Sequence, residues 1–205
     1  MTRRRLIRRA LILSFLSVGI SALIGTSAVA LSIAIGSLSL LGFGADAVID
    51  AVASCILIWR FRIEVLHPHR ADRVEQLAEA LIGAVLITLA GYLAISAVSA
   101  LIANAHPEPS VARIVLLVIS IVVLPPLAVA KYRTAEALAS PALRADSILT
   151  AVAAALAGIG LVAPALGDLL QVTWGDAAGA LVVAVIVARA GWSALWAASP
   201  NCSAK

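Results

Sequence analysis

The apolar residues of this chain come in long unbroken runs, and that feature dictates what can surround it. A helix on a soluble protein shows an apolar stripe backed by charged residues. Here the runs at 10–35, 38–61, 77–103, 111–130, 145–166 and 177–196 are apolar on nearly every face. A membrane span needs roughly 20 such residues to cross about 30 Å of hydrocarbon. Six spans use up nearly all of the 205 residues and leave no room for a soluble domain of any size. Charged residues make up only 13% of the chain, too few to clothe a water-exposed surface. The expected fold is therefore all-α: a single polytopic transmembrane domain, residues 1–205, of six helices.

The net charge of +4 does not point to nucleic acid, because the basic residues sit in short clusters between apolar runs without interleaved aromatics. Arg3, Arg4, Arg5, Arg8 and Arg9 head the chain, and further clusters follow the second and fourth spans. With both termini on the cytoplasmic side, fourteen of the fifteen Lys and Arg residues fall inside, and only Arg113 falls outside. That asymmetry is the positive-inside pattern. It places segments 62–76 and 131–144 in the cytoplasm and the loop with His106 outside. Leu11 to Ala30 has the outline of a signal peptide, but the apolar stretch runs on to Leu41, so an uncleaved first span is expected. Cys55 lies inside a run and Cys202 in the tail. They offer neither a disulfide framework nor a metal motif, and Cys55 reads as a small packing residue.

Two acids stand in the middle of the second span, Asp46 and Asp50. Each costs about 2.5–3.5 kcal/mol to place at the centre of a membrane helix unless it is paired, hydrated or metal-bound. Their four-residue spacing puts both carboxylates on one helix face, roughly 6 Å apart. Like charges so placed repel, and a shared divalent cation or a proton on one of them relieves the repulsion. The competing reading is an interhelical hydrogen bond that merely orders the bundle. With Lys131 assigned to a loop and Arg113 near the edge of its span, no basic residue is expected within the membrane to neutralise the pair. Asp146 is a third candidate ligand, with Thr150 one turn away on the same face. It reads equally as a helix cap or a partner of Arg144. Asp176 reads as a cap and Asp168 as an ordinary loop residue.

The loop after the second span holds His67, His69 and Asp72, two imidazoles and a carboxylate that suit zinc. Three ligands do not close a site, and solvated loop residues are the simpler reading. Glu75 and Glu79 continue on one face of the third span.

Four segments together resemble the cation diffusion facilitator superfamily, six-span exporters of zinc and related divalent metals. Gly44 to Asp50 resembles its span-2 acidic motif, and Arg73-Val74-Glu75 followed by Leu77-Ala78 resembles its entrance to span 3. Ser140 to Asp146 resembles the stretch that opens span 5. Asp176 to Ala184 resembles the start of span 6, with Ala177 where the family has proline. The segments occur in the family's order over residues 40–195. If Asp146 aligns with the acid of the span-5 stretch, the usual His and Asp ligands of that span are replaced by Leu149 and Ala153. The cytoplasmic metal-binding domain that usually follows span 6 has no expected counterpart. The resemblance is thus to a small divergent six-span branch.

This resemblance implies a divalent cation transporter rather than an enzyme: an exporter in the cell (plasma) membrane, coupled to protons by antiport. The transport site would be Asp46, Asp50 and Asp146. Apart from the resemblance, the residue types of His67, His69 and Asp72 make them a candidate metal-entry site at the cytoplasmic mouth. Zinc is the first candidate ion, and an oxygen-rich ligand set also suits manganese or magnesium. No cofactor is expected beyond the ion as substrate. The expected partners are the divalent ion, protons, the lipid bilayer and a second copy of the chain in a homodimer, with no nucleic acid. The second reading is a non-transporting relative that senses metal or binds a partner.

Overall fold

Each apolar run becomes one helix. In a computed structural model that describes residues 3–35, 38–103, 111–170 and 175–198, the helices are α1 (Arg3–Ile35), α2 (Leu38–Leu66), α3 (Ala71–Ala103), α4 (Val111–Leu138), α5 (Pro141–Leu170) and α6 (Gly175–Ala197). A 3₁₀ turn, Pro68–Arg70, joins α2 to α3. There is no strand among the described residues. The loop holding His106, the residues Trp174 and Cys202, and the side chains of Arg113, Asp168 and Asp176 lie outside what is described.

The helices are longer than the apolar runs, and in α1 to α4 the excess lies at one end. α2 runs on past Phe61 to Leu66, α3 begins six residues before Leu77, and α4 carries Lys131 through Leu138 before a break of two residues. That break is a Schellman corner. Ala139 takes a left-handed backbone (φ 51°), the Ser140 N–H donates to the Ala135 carbonyl, and the Ala139 N–H donates to the Glu136 carbonyl. Left-handed backbone costs a non-glycine residue roughly 1–2 kcal/mol. The new helix starts at once: the Ser140 hydroxyl caps the Leu143 N–H and Pro141 supplies the preset φ of a first helical residue. Where a polar loop 131–144 was expected, the chain therefore makes a near-continuous α4–α5 hairpin. Pro125 and Pro126 lie inside α4, which stays one helix through them.

Burial is inverted relative to a soluble protein. Ile33, Ile95, Ile102 and Val111 are each more than 70% exposed, while Lys131, Asp146 and Thr150 are fully buried. Among the described residues, five helices are long and apolar enough to cross a membrane. The remaining one, α2, has 29 residues and carries Asp46, Asp50, Arg60, Arg62 and Glu64. An apolar face turned outward and polar groups turned inward suit hydrocarbon as the surrounding solvent.

With no hydrophobic drive between helices in lipid, close packing of small residues must hold them together. A Cβ on Gly191 of α6 would come within 2.9 Å of the Leu86 Cβ and 3.0 Å of the Gly83 carbonyl on α3. A Cβ on Gly44 of α2 would come within 2.7 Å of Val29 on α1. These contacts pin α3 to α6 and α1 to α2. Leu57, Phe61, Ile82, Leu86, Leu143, Leu149 and Val187 fill the space between α2, α3, α5 and α6. Cys55 is exposed rather than packed inside, and faces an apolar groove between α1, α2 and α3.

An ion network ties the helix ends together where α2 gives way to α3. Arg60, two residues before the exposed Arg62, is buried between two carboxylates. It pairs with Glu64 one turn along α2 (2.8 Å) and with Glu75 of α3. Glu64 also accepts from Arg3 of α1 (2.6 Å). Glu75 accepts the Ser140 hydroxyl (2.7 Å) and the Ala142 N–H (3.1 Å) of α5. Glu75 thus pairs with Arg60 rather than with its neighbour in sequence, Arg73.

Two predictions follow from this packing. Gly191→Ala, which places a methyl against backbone, should destabilise the purified protein by about 1–3 kcal/mol. Gly91→Ala, with open space around it, should be neutral or stabilising by up to ~1 kcal/mol. Arg60→Met takes the shared cation away from buried Glu64 and partly buried Glu75 and should cost about 3–5 kcal/mol. Arg62→Met, on an exposed side chain two residues away, should stay within about 0.5 kcal/mol. Thermal unfolding in detergent checks both pairs, and equal effects within either pair would contradict the packing described.

Candidate metal-binding site

The polar groups inside the bundle form a column between α1, α2, α4 and α5. Each helix supplies them at intervals of three or four residues: Ser14, Ser17 and Ser21 from α1, Asp46, Asp50 and Ser54 from α2, Lys131 and Thr134 from α4, and Asp146 and Thr150 from α5. Residues so spaced share one helix face, so four inward faces meet in one column.

At one level, Asp50 is held by three hydroxyls. Ser21 (2.5 Å) and Ser17 (3.3 Å) donate to its Oδ2, and Thr150 lies 3.3 Å from its Oδ1. One turn along both α2 and α5, Asp146 accepts from Ser54 at Oδ1 (3.2 Å) and faces Lys131 Nζ at Oδ2 (2.7 Å). Lys131 also donates to Ser17 (2.7 Å), Thr150 (2.9 Å) and Ser54 (3.3 Å). Of the column's hydroxyls, that of Ser14 is buried with no partner among the described residues.

Beyond Asp50, away from Lys131, lies a small cavity of about 20 Å³ lined by Ser21, Ile24, Asp46, Ala47, Asp50, Ser120, Leu124 and Ala153. That is room for about one water or a single dehydrated ion. Its oxygen-bearing walls are two carboxylates and two hydroxyls. The Ser120 hydroxyl gives its proton to the Leu116 carbonyl, which leaves its lone pairs free to face the cavity. Asp46 is half-buried beside Asp50. The i, i+4 spacing thus does bring the two acids to one cavity, as their helix face requires.

The other candidates fall elsewhere. Asp146 neither caps α5 nor pairs with Arg144. The cap is Ser140, and Arg144 is exposed, its guanidinium 5.7 Å from the Tyr132 ring. The expectation that no basic residue serves the intramembrane acids is overturned, since Lys131 lies buried among them. His67 and His69 stack at 5.9 Å, both exposed, flanking the start of the 3₁₀ turn. Among the described residues, no three His, Cys, Asp or Glu side chains gather closely enough to hold a metal by themselves. This applies to His67, His69 and Asp72 and to Asp46, Asp50 and Asp146 alike. An ion at Asp46 and Asp50 would draw its remaining ligands from hydroxyls and water.

Lys131 was missed because it directly follows an apolar run and precedes Arg133, the ordinary look of a loop start. The signal was in the spacing. Leu124, Leu127, Ala128, Thr134, Ala135 and Leu138 form one buried stripe, and Lys131 falls on it.

The described geometry therefore has the features of an ion-carrying bundle: apolar outside, small-residue contacts between helices, and a file of carboxylates and hydroxyls within. Residues 11–201 match the family described as the cation efflux transmembrane domain, nearly the whole chain. The protein belongs to the cation efflux family, multi-pass membrane transporters of metal cations.

Proposed function

We propose that this chain exports a divalent metal cation in exchange for protons, and that Asp46 and Asp50 are the carboxylates that hold the ion. The observation that carries the reading is the small cavity bounded by both acids and by the Ser21 and Ser120 hydroxyls. Two carboxylates at helical spacing repel unless a cation lies between them, and a divalent ion neutralises both at once. Two protons achieve the same neutrality, which makes metal and protons natural alternatives at the same oxygens. Zinc remains the first candidate by family resemblance. The all-oxygen ligand set also suits manganese or magnesium, which favour carboxylate, hydroxyl and water.

Access from the two sides would alternate through sliding of helices packed on small residues, as at Gly83 and Gly191. The basic asymmetry supports both termini in the cytoplasm, with the network of Arg3, Arg60, Glu64 and Glu75 at the inner mouth. The expected homodimer in the plasma membrane belongs to this reading. His67, His69 and Asp72 would assist metal arrival without being required. A second reading, a non-transporting metal sensor, is favoured by the Lys131–Asp146 pair, which already satisfies one carboxylate without metal.

Asp50→Asn should reduce zinc or manganese flux in proteoliposomes at least tenfold, with metal-dependent thermal stabilisation lost as well, while the protein still inserts and folds. An Asp46→Asn, Asp50→Asn double variant that moves either ion at the wild-type rate would remove the proposed site. Zinc-dependent stabilisation without flux in the wild-type protein would select the sensor reading. For the topology, a cysteine introduced at His106 should react with an impermeant reagent from outside, and one at Arg70 should react only after permeabilisation. The reverse pattern would invert the assignment.

A further inference from the structure

Lys131 is a buried charged group for which the exchange reading has no use. We propose that its ammonium is a tethered cation that sets how strongly the neighbouring carboxylates hold a metal ion, and that Asp146 is its counter-ion rather than a ligand. The inference rests on Asp46 and Asp50 being the ion site.

The ammonium is surrounded as a metal cation would be. It is fully buried and has four oxygens within 3.3 Å, those of Asp146, Ser17, Thr150 and Ser54. Three N–H donors therefore always find acceptors. Two of these hydroxyls lead onward to Asp50, Ser17 to its Oδ2 and Thr150 to its Oδ1. Lys131 is thus one hydroxyl away from each oxygen of the carboxylate that faces the cavity. Ser54 closes the other side, bridging Lys131 to the second oxygen of Asp146. Both Asp146 oxygens are therefore engaged, and neither reaches a metal without breaking the ion pair.

A cation in the cavity meets Lys131 as a like charge across the Asp50 carboxylate and one layer of hydroxyls. In an interior of low dielectric, that repulsion weakens ion binding. Asp146 counters it by neutralising the ammonium locally. The consequence is a site that holds its ion loosely enough to let it go. Three carboxylates and one ammonium leave two negative charges, the charge that a divalent ion cancels.

The test compares Lys131→Gln, Asp146→Asn and the double variant of the full chain. The readouts are Zn²⁺ binding by calorimetry in detergent and Zn²⁺ flux in proteoliposomes. Lys131→Gln removes the opposing charge and should bind Zn²⁺ at least about tenfold more tightly, with lower KM and lower maximal flux. Asp146→Asn unmasks the ammonium and should bind at least about tenfold more weakly. The double variant restores the charge balance and should return to within roughly threefold of wild-type affinity. If the double variant stays as weak as Asp146→Asn, Asp146 is a ligand and the proposal falls. It also falls if folded Lys131→Gln binds no more tightly than wild type, because Lys131 is then only structural. Should Lys131→Gln not fold, the comparison of Asp146→Asn with the double variant decides alone, since counter-ion and ligand roles predict opposite results. Failure of the underlying reading would be separate, visible as Zn²⁺ binding that survives loss of both Asp46 and Asp50.

Discussion

A charge in hydrocarbon needs a partner, and the arrangement of four helices here is the answer to that requirement. Lys131 on α4 and Asp146 on α5 are fully buried and 2.7 Å apart. Neither tolerates the interior alone, because the penalty for removing an ion from water is several kcal/mol even after relaxation. The pair is in turn surrounded by hydroxyls from α1, α2 and α5, which satisfy the donors and lone pairs left over. The faces of α1 and α2 that carry Ser17 and Ser54 must therefore point at α4 and α5. Asp50 comes to the same place through Ser17 and Thr150, so the candidate ion site and the ion pair share one set of hydroxyls. A shift of any of the four helices would disturb both.

The second polar cluster works differently. Arg60, Glu64 and Glu75, with Arg3, lie at the end of the bundle and reach across to the start of α5 through Ser140 and Ala142. Arg3 is largely exposed, so one edge of this cluster meets solvent while Arg60 at its centre does not. It therefore clamps α1, α2, α3 and α5 at their ends, where the column clamps α1, α2, α4 and α5 within. α1, α2 and α5 belong to both clamps, and α2 and α5 also carry the three acids of the column, Asp46, Asp50 and Asp146.

Much of this could be read from the sequence. Six apolar runs of about 20 residues or more leave few alternatives to six helices, and the spacing of Asp46 and Asp50 places both on one face. Thr150 was rightly placed one turn from Asp146. What failed was the use of charge to mark the ends of helices. Lys131 and Arg60 look like interface residues because each stands beside another basic residue, Arg133 or Arg62. Only the three- and four-residue spacing of the buried stripe, Ala53, Leu57, Arg60, Phe61, Glu64 on α2 and its counterpart on α4, separates the inward charge from the outward one. The partners themselves, Glu75 for Arg60 and Asp146 for Lys131, depend on tertiary contacts between helices that no local pattern records.

The corner at Ala139 and Ser140 has a consequence for how the chain enters a bilayer. Lys131 and Asp146 lie on the two arms of one tight hairpin, a few turns from its bend. Delivered one helix at a time, each arm would carry an uncompensated charge into lipid, at about 2.5–3.5 kcal/mol apiece. Delivered together, the arms bring ammonium and carboxylate into contact without the help of any other helix. The hairpin is thus suited to enter the membrane as one unit, because the left-handed alanine that closes it holds the two charges within reach of each other.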